Sequence, residues 1–462
     1  MKARKVPAQA RVSMPRKIAY GAGGLGDNFM SEILESYLAY FYITTLGLNP
    51  VLVGIGVMIP RLWDMITDPW VGNLSDNFRS RLGRRRPFIL VGGLLACVPF
   101  TLVWIVPEAW GDAGKFAWLV GSMLVYSTFY TVYFVPYNSL GAELSTDYNE
   151  RSNVASVRLF VGRIGALAMA PLFELVYNKD LFEREQVGYL VIGVFFSAVS
   201  AVGYFWLFAS IRETGTAQKQ EKINILKAAR YTAQNRAFVL FLFVSVIGGF
   251  AFWSVIRLGR FVNVYYVHGG DEESLGRINT IAEFLGVFVA FASILIINWM
   301  CRHFGKLTTR IVVSVITMVL QASSWFLFNP DHPELYIVFA ALAGMTQATY
   351  IVNLSMMADV ADADELASGR RREGMYFGVW GLVQKISFSL GPLITGAILA
   401  LIGFQEGVDQ QPEDSLFWMR AIFAFGGIPV SVVTILILLR YPLTESRVRE
   451  LRAILDERNK AS

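Results

Sequence analysis

Long apolar stretches constrain the fold of this chain more than any other feature. A helix that crosses a bilayer needs roughly 20 mainly apolar residues, and twelve segments meet this requirement. They cover residues 18–46, 51–75, 88–107, 115–144, 153–177, 187–211, 236–266, 275–300, 308–328, 334–358, 374–404 and 415–440. Hydrophobic residues make up 54% of the chain and charged residues only 17%, which is far from the balance of a soluble domain. The sequence therefore predicts an all-α membrane protein with twelve spans.

Basic residues are concentrated in alternate loops. Cytoplasmic loops of membrane proteins carry an excess of Lys and Arg, and the loops after even-numbered spans do so here, as in SRLGRRRP after span 2. The loop sequences LFNPDHPEL and GFQEGVDQQPEDSL contain neither residue. This pattern predicts that both termini are cytoplasmic, and we expect a bacterial inner membrane as the location. It also accounts for the formal net charge of +5, so no nucleic-acid partner is predicted.

One polar interior segment divides the chain into two halves of six spans each. We expect a cytoplasmic tail at 1–17, a six-helix bundle at 18–211, a linker at 212–235, a second bundle at 236–440 and a tail at 441–462. A basic loop containing glycine, Gly83 or Gly305, follows the second span of each half, which indicates an internal duplication of the kind common in transporters. Three histidines and two cysteines lack the spacing of a metal site or disulfide framework, so no metal or cofactor is predicted.

Two carboxylates inside span 2 give the clearest functional signal. The stretch RLWDMITDPW places Asp64 and Asp68 four positions apart on one helix face, with Thr67 beside them. A carboxylate at the bilayer centre costs roughly 2.5–3.5 kcal/mol on insertion scales. Two neighbouring like charges are unfavourable unless a cation binds or one group takes up a proton, so the pair is predicted to bind Na⁺ or H⁺. The alternative is that the helix ends at Asp68 near the cytoplasm, with both carboxylates hydrated or paired with Arg61.

Further polar residues lie in spans 1, 4 and 5. They are Asp27, Asn28, Glu32 and Glu35 in span 1, then Thr131, Tyr137, Asn138 and Arg158. We expect Thr131 to reach the cation, and Arg158 either to pair with a carboxylate of span 1 or 2 or to bind substrate oxygens. Asp27, Glu32 and Glu35 do not share one helical stripe. Some of them are therefore expected to face a water-filled cavity and others to pair with arginine.

The second half contributes an intramembrane lysine, Lys385, in span 11. A buried ammonium needs a carboxylate or a substrate as partner, and Lys385 could respond to occupation of the acid pair. The alternative is a structural ion pair. Aromatic faces suit a sugar ring, which makes Tyr137 and Trp380 candidates for substrate contact, although their positions also fit ordinary packing.

Five motifs identify a family resemblance. YGAGGLGDNF, RLWDMITDPWVGNLSD, SRLGRRRPF, VPYNSLGAEL and MMADVADADELASGRRREGMYFGVWGLVQK together resemble the glycoside-pentoside-hexuronide:cation symporters, the group of the major facilitator superfamily that contains melibiose permease. The similarity extends over nearly the whole chain. It implies the major facilitator fold, with twelve transmembrane helices in two six-helix bundles, and a symporter that imports a sugar or glycoside by alternating access.

The resemblance also implies roles for individual residues. Asp64 and Asp68 would bind the coupling Na⁺ or H⁺ with help from Thr67 and Thr131, and Lys385 would lie near that site.

In this family, the acidic run after span 10 helps to close the cytoplasmic side with charged partners. Asp359, Asp362 and Glu365 match that run, and we add Arg84 as a gating residue. Arg158 matches an arginine that contacts sugar. Asp27, Asn28, Asn138, Tyr137, Trp380 and Lys385 complete the predicted substrate site.

The sequence departs from melibiose permease where that protein binds galactosides. Two Asp and one Trp are replaced here by Asn28, Phe134 and Asn138, so galactoside specificity is not transferred. Sodium-dependent lysolipid symporters share the cation motif and also lack these carboxylates, which keeps a lipid substrate as an alternative.

Two other classes fit less well. A membrane-embedded enzyme would need a catalytic domain around the acidic sequence DADE, or a Ser/His/Asp set, and the sequence provides neither. A channel would place its charges as a ring in one pore-lining segment, whereas here they are scattered over many spans. We therefore expect a monomeric, cation-coupled carrier of small molecules and not an enzyme.

Overall fold

The computed structural model describes residues 12–107, 109–145, 148–213, 230–368 and 372–461. The regular secondary structure of these residues is entirely helical, which confirms the predicted all-α class. Within the described ranges, ten helices are long and apolar enough to cross a membrane. They coincide with ten of the twelve predicted spans. The third span is the shorter apolar helix Arg86–Leu102, and the first span is divided into several segments.

By its internal contacts the chain divides into two compact units, Met1–Lys219 with Gln405–Val408, and Gln220–Phe404 with Asp409–Ser462. Most of the predicted linker, residues 214–229, and the N-terminal residues 1–11 lie outside the described ranges.

The described part of the first unit contains nine α-helices. They are α1 (Met14–Gly23), α2 (Leu25–Ile33), α3 (Ala39–Thr44), α4 (Pro50–Asn77), α5 (Arg86–Leu102), α6 (Asp112–Glu143), α7 (Tyr148–Met169), α8 (Leu172–Val176) and α9 (Glu185–Ser210), with a π-helical segment, Leu34–Leu38, between α2 and α3. Gly24 caps the C-terminal end of α1, and the wider π turn follows α2. Single π turns occur mostly within α-helices and often at functional sites. This one carries Glu35, one of the predicted polar residues of span 1.

The described part of the second unit contains nine helices of ten or more residues. They are α10 (Arg236–Phe261), α11 (Glu272–Phe304), α12 (Lys306–Leu327), α13 (Leu335–Gly344), α14 (Thr349–Ser368), α15 (Glu373–Leu401), α16 (Glu413–Phe425), α17 (Ile428–Leu439) and α18 (Glu445–Ala461), with a π segment, Val262–Val267, after α10 and a 3₁₀ turn, Met345–Ala348, between α13 and α14. Tyr376 and Trp380 of α15 are buried in an apolar cluster with Phe238 and Phe241 of α10. These aromatic residues therefore hold α10 against α15.

α4 is the helix that carries the acid pair, and its sequence explains its extent. The Asn49 side chain caps it by accepting hydrogen bonds from the backbone amides of Val51 and Leu52 at 3.0 and 3.4 Å. Pro60 and Pro69 lie inside the helix without ending it. The alternative that the helix ends at residue 68 is wrong, because α4 continues for two further turns to Asn77, and membrane helices tolerate internal prolines when neighbours satisfy the backbone.

Tyrosine hydroxyls fix α6 against α1. Tyr133 and Tyr137 are fully buried, and a buried phenol needs a hydrogen-bond acceptor. The Tyr133 hydroxyl donates to the Gly23 carbonyl at 2.7 Å, and the Tyr137 hydroxyl donates to the Tyr20 carbonyl at 2.8 Å. These two bonds set the position of span 1 relative to the polar face of α6.

A buried ion pair joins α1 to α7. The Lys17 Nζ lies 2.8 Å from Glu150 Oε1, which also accepts a hydrogen bond from the Val12 amide at 2.9 Å. The hydrogen bond from Lys17 is the largest cause of a lowered pKa for the Glu150 carboxyl. A carboxylate with a lowered folded-state pKa stabilises the fold at higher pH, and this contribution is lost as the pH falls through that pKa.

We predict that Glu150→Gln lowers the stability of the purified protein at pH 7 by about 1.5–3 kcal/mol, because Lys17 loses a charged hydrogen-bond partner. The difference from the unchanged protein should shrink as the pH falls below 4.5, the ordinary pKa of the group. Thermal unfolding in detergent at pH 7 and pH 3 would measure this. Glu183→Gln, at an exposed loop residue, serves as the control. An equal deficit at both pH values would contradict the prediction.

Candidate functional site

The acid pair lies where α4 packs against α6. The contacts between the two helices, in order along both, are Gly56–Leu119, Asp64–Ser127, Asp68–Thr131 and Gly72–Val135. Residue numbers therefore increase together, and the helices run in the same direction. A spacing of four residues on α4 is matched by a spacing of four on α6. This register places two carboxylates opposite two hydroxyls.

Thr131 connects the two carboxylates. Its Oγ1 lies 3.1 Å from Asp68 Oδ1 and 3.4 Å from Asp64 Oδ1. Thr67 Oγ1 lies 3.5 Å from Thr131 Oγ1 and donates to the Trp63 carbonyl at 3.2 Å. Thr131 is 1% exposed and Thr67 is 7% exposed, whereas both carboxylates are only partly buried. The four residues of the predicted cation site therefore form one cluster.

Ser127 is a member of this cluster that the sequence analysis missed. Its Oγ contacts Asp64 Oδ1 and lies 3.1 Å from the Pro60 carbonyl oxygen. The residue precedes Thr131 by four positions, the same interval that separates the two acids. The equal spacing of Asp64 with Asp68 and of Ser127 with Thr131 is the feature of the sequence that could have predicted this contact.

The cluster offers only oxygen atoms, from two carboxylates and three hydroxyls. Hard cations prefer such ligands, whereas transition metals favour imidazole and thiolate. Within the described ranges, no group of three or more His, Cys, Asp and Glu residues is arranged to hold a metal ion. This chemistry fits a small alkali cation or a proton.

A second polar cluster surrounds Asp27 on α2. Arg158 Nη2 lies 3.4 Å from Asp27 Oδ2, the Tyr130 hydroxyl contacts Asp27 Oδ1, and Arg158 Nη1 donates to Asn138 Oδ1 at 2.6 Å. The Arg158 guanidinium also lies 4.7 Å from the centre of the Tyr137 ring. Of the alternatives for Arg158, the structure shows pairing with a span-1 carboxylate. Tyr130, which the sequence analysis did not select, supplies the second contact to that carboxylate.

Two predicted substrate residues of this cluster make contacts inside the protein. The Asn28 side chain donates to the Gly24 carbonyl at 3.0 Å, and a Cβ added to Gly162 would lie only 2.7 Å from its amide nitrogen. Tyr137 has no exposed surface and stacks on Tyr20 with ring centres 4.7 Å apart. In this structure, Tyr137 supports Arg158 and presents no open ring face.

A separate contact involves Arg61, one turn before the acid pair. Its Nη2 lies 3.5 Å from Glu35 Oε1 in the π segment. Glu35 and Asp27 therefore each pair with an arginine, as expected for some of the span-1 carboxylates.

The predicted residues of α15 differ in exposure. Lys385 is exposed, and its carbonyl accepts a hydrogen bond from Ser389 Oγ at 2.7 Å. Trp380 is 4% exposed, and its Nε1 donates to Ser245 Oγ at 3.3 Å. Trp380 is thus a packed core residue in this structure.

The loop after α4 is held by two glutamates. Arg84 Nη2 lies 2.9 and 3.0 Å from the two carboxylate oxygens of Glu143. Glu213 accepts hydrogen bonds from the backbone amides of Arg84, Arg85 and Arg86 at 2.8, 2.7 and 3.0 Å. A carboxylate on the first amides of α5 is stabilised by the helix dipole. Glu213 was missed because it lies 129 residues from Arg84 in sequence.

The corresponding loop of the second unit contains a buried ion pair. Lys306 Nζ lies 2.7 Å from both carboxylate oxygens of Asp359, which is 4% exposed. Asp362 and Glu365 follow on the same helix and are partly buried. The two loops share a further feature, because Gly83 and Gly305 both have positive φ, at 106° and 81°. A Cβ at either position would approach a glutamate oxygen at 2.7 Å, from Glu213 or Glu445.

Comparison with known proteins identifies the class. A family model described as MFS/sugar transport protein matches residues 19–445, and the chain belongs to this family of the major facilitator superfamily. The predicted resemblance to the melibiose permease group is thereby confirmed.

Individual relatives are distant but nearly full in length. The putative glycoside/cation symporter YagG of Escherichia coli (strain K12) is 25% identical over 95% of this chain and 94% of its own. The sodium-dependent lysophosphatidylcholine symporter 1-A of Danio rerio is 24% identical over 93% of this chain and 86% of its own. A solved bacterial homologue of the human lysosomal transporter Spinster is similar in fold, with a TM-score of 0.63 and 15% identity over 96% of this chain and 99% of that one.

The fold and the relatives together define the class of activity. The protein is a transporter of the major facilitator superfamily, embedded in a membrane by multiple spans. Its family is one of transport proteins, so the protein is a carrier and not an enzyme. The predicted major facilitator fold is confirmed.

We predict that Gly83→Ala destabilises the protein by about 1–3 kcal/mol, because alanine is strained at a φ of 106° and its Cβ would displace Glu213. The matched control is Gly121→Ala in the interior of α6, where nothing lies within 4 Å of an added Cβ. That change should be neutral or stabilising by up to about 1 kcal/mol. Thermal unfolding of both variants in detergent measures the difference. Equal melting temperatures for the Gly83→Ala and Gly121→Ala variants would show that the positive φ of Gly83 does not require glycine.

Proposed function

We propose that the protein imports a sugar or glycoside by alternating access, driven by Na⁺ or H⁺ bound at Asp64 and Asp68. The observation that carries this proposal is the cluster in which Thr131 lies within 3.4 Å of both carboxylates. The cluster sits in a helix apolar enough to cross the membrane. Two neighbouring carboxylates in such surroundings repel each other until a cation or proton reduces their charge.

Coupling follows from that repulsion. Cation binding favours the form of the protein in which the two acids are close together, and substrate binds to that form. Thermodynamic linkage then requires the substrate to tighten cation binding by the same factor. We assign the rocking elements to two bundles, residues 18–211 and 236–440, as in other transporters built from repeats.

The Asp27 cluster supports a substrate rich in hydroxyl groups. Asp27, Arg158 and Asn138 satisfy one another in this structure. A polyol could replace these contacts one by one, since each hydroxyl both donates and accepts. The Escherichia coli relative, the putative glycoside/cation symporter YagG, agrees with this substrate class.

The remaining predicted residues are assigned by position. Asn28 and Tyr137 shape the same cluster. In the second unit, Lys385 stays a predicted substrate residue, and so does Trp380, which is packed in the core of that unit in this structure. Arg84, Asp359, Asp362 and Glu365 close the cytoplasmic side through pairs such as Arg84 with Glu143 and Lys306 with Asp359. The location that fits this activity is the bacterial inner membrane, with cytoplasmic termini and a monomeric protein.

A lysolipid is the second candidate substrate. It is favoured by the Danio rerio relative, a sodium-dependent lysophosphatidylcholine symporter that matches 93% of this chain. A zwitterionic headgroup could also bind to Arg158 and Asp27, because they present opposite charges side by side. The two candidates differ in the apolar tail, which a sugar lacks.

We predict that Asp64→Asn and Asp68→Asn each abolish cation-driven accumulation of substrate while the protein still inserts and folds. Either change removes the charge that a cation neutralises, so binding of the cation no longer favours the substrate-binding form. The measurement is uptake into proteoliposomes under an imposed Na⁺ or H⁺ gradient, with Asp180→Asn in an exposed loop as the control. Normal accumulation by both variants would refute the proposed cation site.

Substrate class is tested by thermal stabilisation of the purified protein across sugars, glycosides, uronides and lysolipids. We expect a saturable shift with a glycoside, and we expect Arg158→Ala to raise the half-saturating concentration at least tenfold. The matched control is Arg163→Ala, an exposed arginine on the same helix. Stabilisation by a lysolipid and by no sugar would support the second candidate instead.

A further inference from the structure

Ser127 occupies a position in the cation cluster that the proposed function does not use. It lies on α6 and is 4% exposed. Its Oγ contacts a carboxylate oxygen of Asp64 and also lies 3.1 Å from the carbonyl oxygen of Pro60. Both partners are acceptors. A buried hydroxyl placed between two acceptors on a neighbouring helix needs an explanation beyond packing.

A serine hydroxyl has one hydrogen to donate and two lone pairs that accept. It can therefore donate to Asp64 or to the Pro60 carbonyl, but not to both at once. If the hydrogen points to Asp64, the hydroxyl stabilises the ionised carboxylate. If the hydrogen points to the Pro60 carbonyl, the lone pairs of the Ser127 oxygen are directed toward Asp64. The second arrangement suits a cation bound between Asp64 and Ser127.

The neighbouring hydroxyl extends this arrangement. Thr131 lies one helical turn further along α6 and reaches both acids. Ser127 and Thr131 thus line α6 as Asp64 and Asp68 line α4, and an ion between the two helices would meet four side-chain oxygens. A metal cation requires several oxygen ligands at once. A proton is held by one carboxylate oxygen and needs only one hydrogen-bond acceptor, which Thr131 supplies, so the second hydroxyl matters far more to a metal cation than to a proton.

We propose that Ser127 is a direct ligand of the coupling cation and makes the site select Na⁺ over H⁺. This inference rests on the proposed cation site at Asp64 and Asp68. The Ser127 hydroxyl donates to Asp64 when the site is empty. When Na⁺ is bound, the hydroxyl turns its hydrogen to the Pro60 carbonyl and its lone pair to the ion. Ser127 therefore determines which ion drives transport.

The test uses the ion itself as the probe. The full-length protein is titrated with NaCl against choline chloride at constant ionic strength, and thermal stabilisation gives the half-saturating Na⁺ concentration. Ser127→Ala should raise that concentration about 10- to 100-fold, the usual effect of removing a group that supports a metal site. Stabilisation by protons, measured from pH 5 to 8 without Na⁺, should be unchanged. A merely structural role would alter both responses together.

Two further variants keep the test decisive. Ser122→Ala removes a hydroxyl on the same helix that donates to the Trp118 carbonyl at 2.6 Å, and it should leave the Na⁺ response unchanged. Ser127→Cys keeps nearly the same shape but offers a sulfur that binds hard cations poorly. It should lose Na⁺ affinity as the alanine variant does, even if alanine impairs folding.

The outcomes separate this inference from the proposed function. If Ser127→Ala and Ser127→Cys retain the normal Na⁺ response while Asp64→Asn abolishes it, Ser127 is not a ligand and the cation site stands. If the unchanged protein responds to pH and not to Na⁺, the inference is also overturned. If Asp64→Asn and Asp68→Asn both retain the normal ion response, the proposed function fails and the inference fails with it.

Discussion

The packing of α4 against α6 is the interaction on which the polar interior of the first unit depends. A charged side chain in an apolar span is stable only if another part of the protein satisfies it. α6 provides that partner for both acidic clusters, because Thr131 contacts Asp64 and Asp68 while Tyr130 contacts Asp27. The parallel, in-register contact of the two helices brings hydroxyls opposite carboxylates.

The adjacency of Tyr130 and Thr131 has a consequence for coupling. One residue belongs to the Asp27 cluster and the next to the cation cluster, so the two clusters are connected through a single peptide unit of α6. A change in charge at Asp64 and Asp68 alters the strength of their hydrogen bonds with Thr131. In the proposed mechanism, a small displacement of α6 then changes the contacts of Asp27 with Tyr130 and Arg158.

The two basic loops share one kind of contact, as the predicted internal duplication would lead us to expect. Each has a glycine of positive φ beside a glutamate, Gly83 with Glu213 and Gly305 with Glu445. The glycines could be found from the sequence, because a basic loop that recurs in each half is recognised from consecutive residues. The sequence did not show the glutamates, since each lies more than 100 residues away and only chain folding brings it to the loop.

Apolar length is a local property, so the sequence by itself determined the all-helical class, the positions of the ten spans that the described residues show and the acid pair within span 2. It also located Thr131 and Arg158, because ionisable and polar residues are conspicuous in apolar surroundings. Only the tertiary structure decided which polar groups meet. Arg158 pairs with Asp27 across 131 residues and Ser127 contacts Asp64 across 63, and these pairings depend on helix register and packing, which spacing along a single helix does not specify.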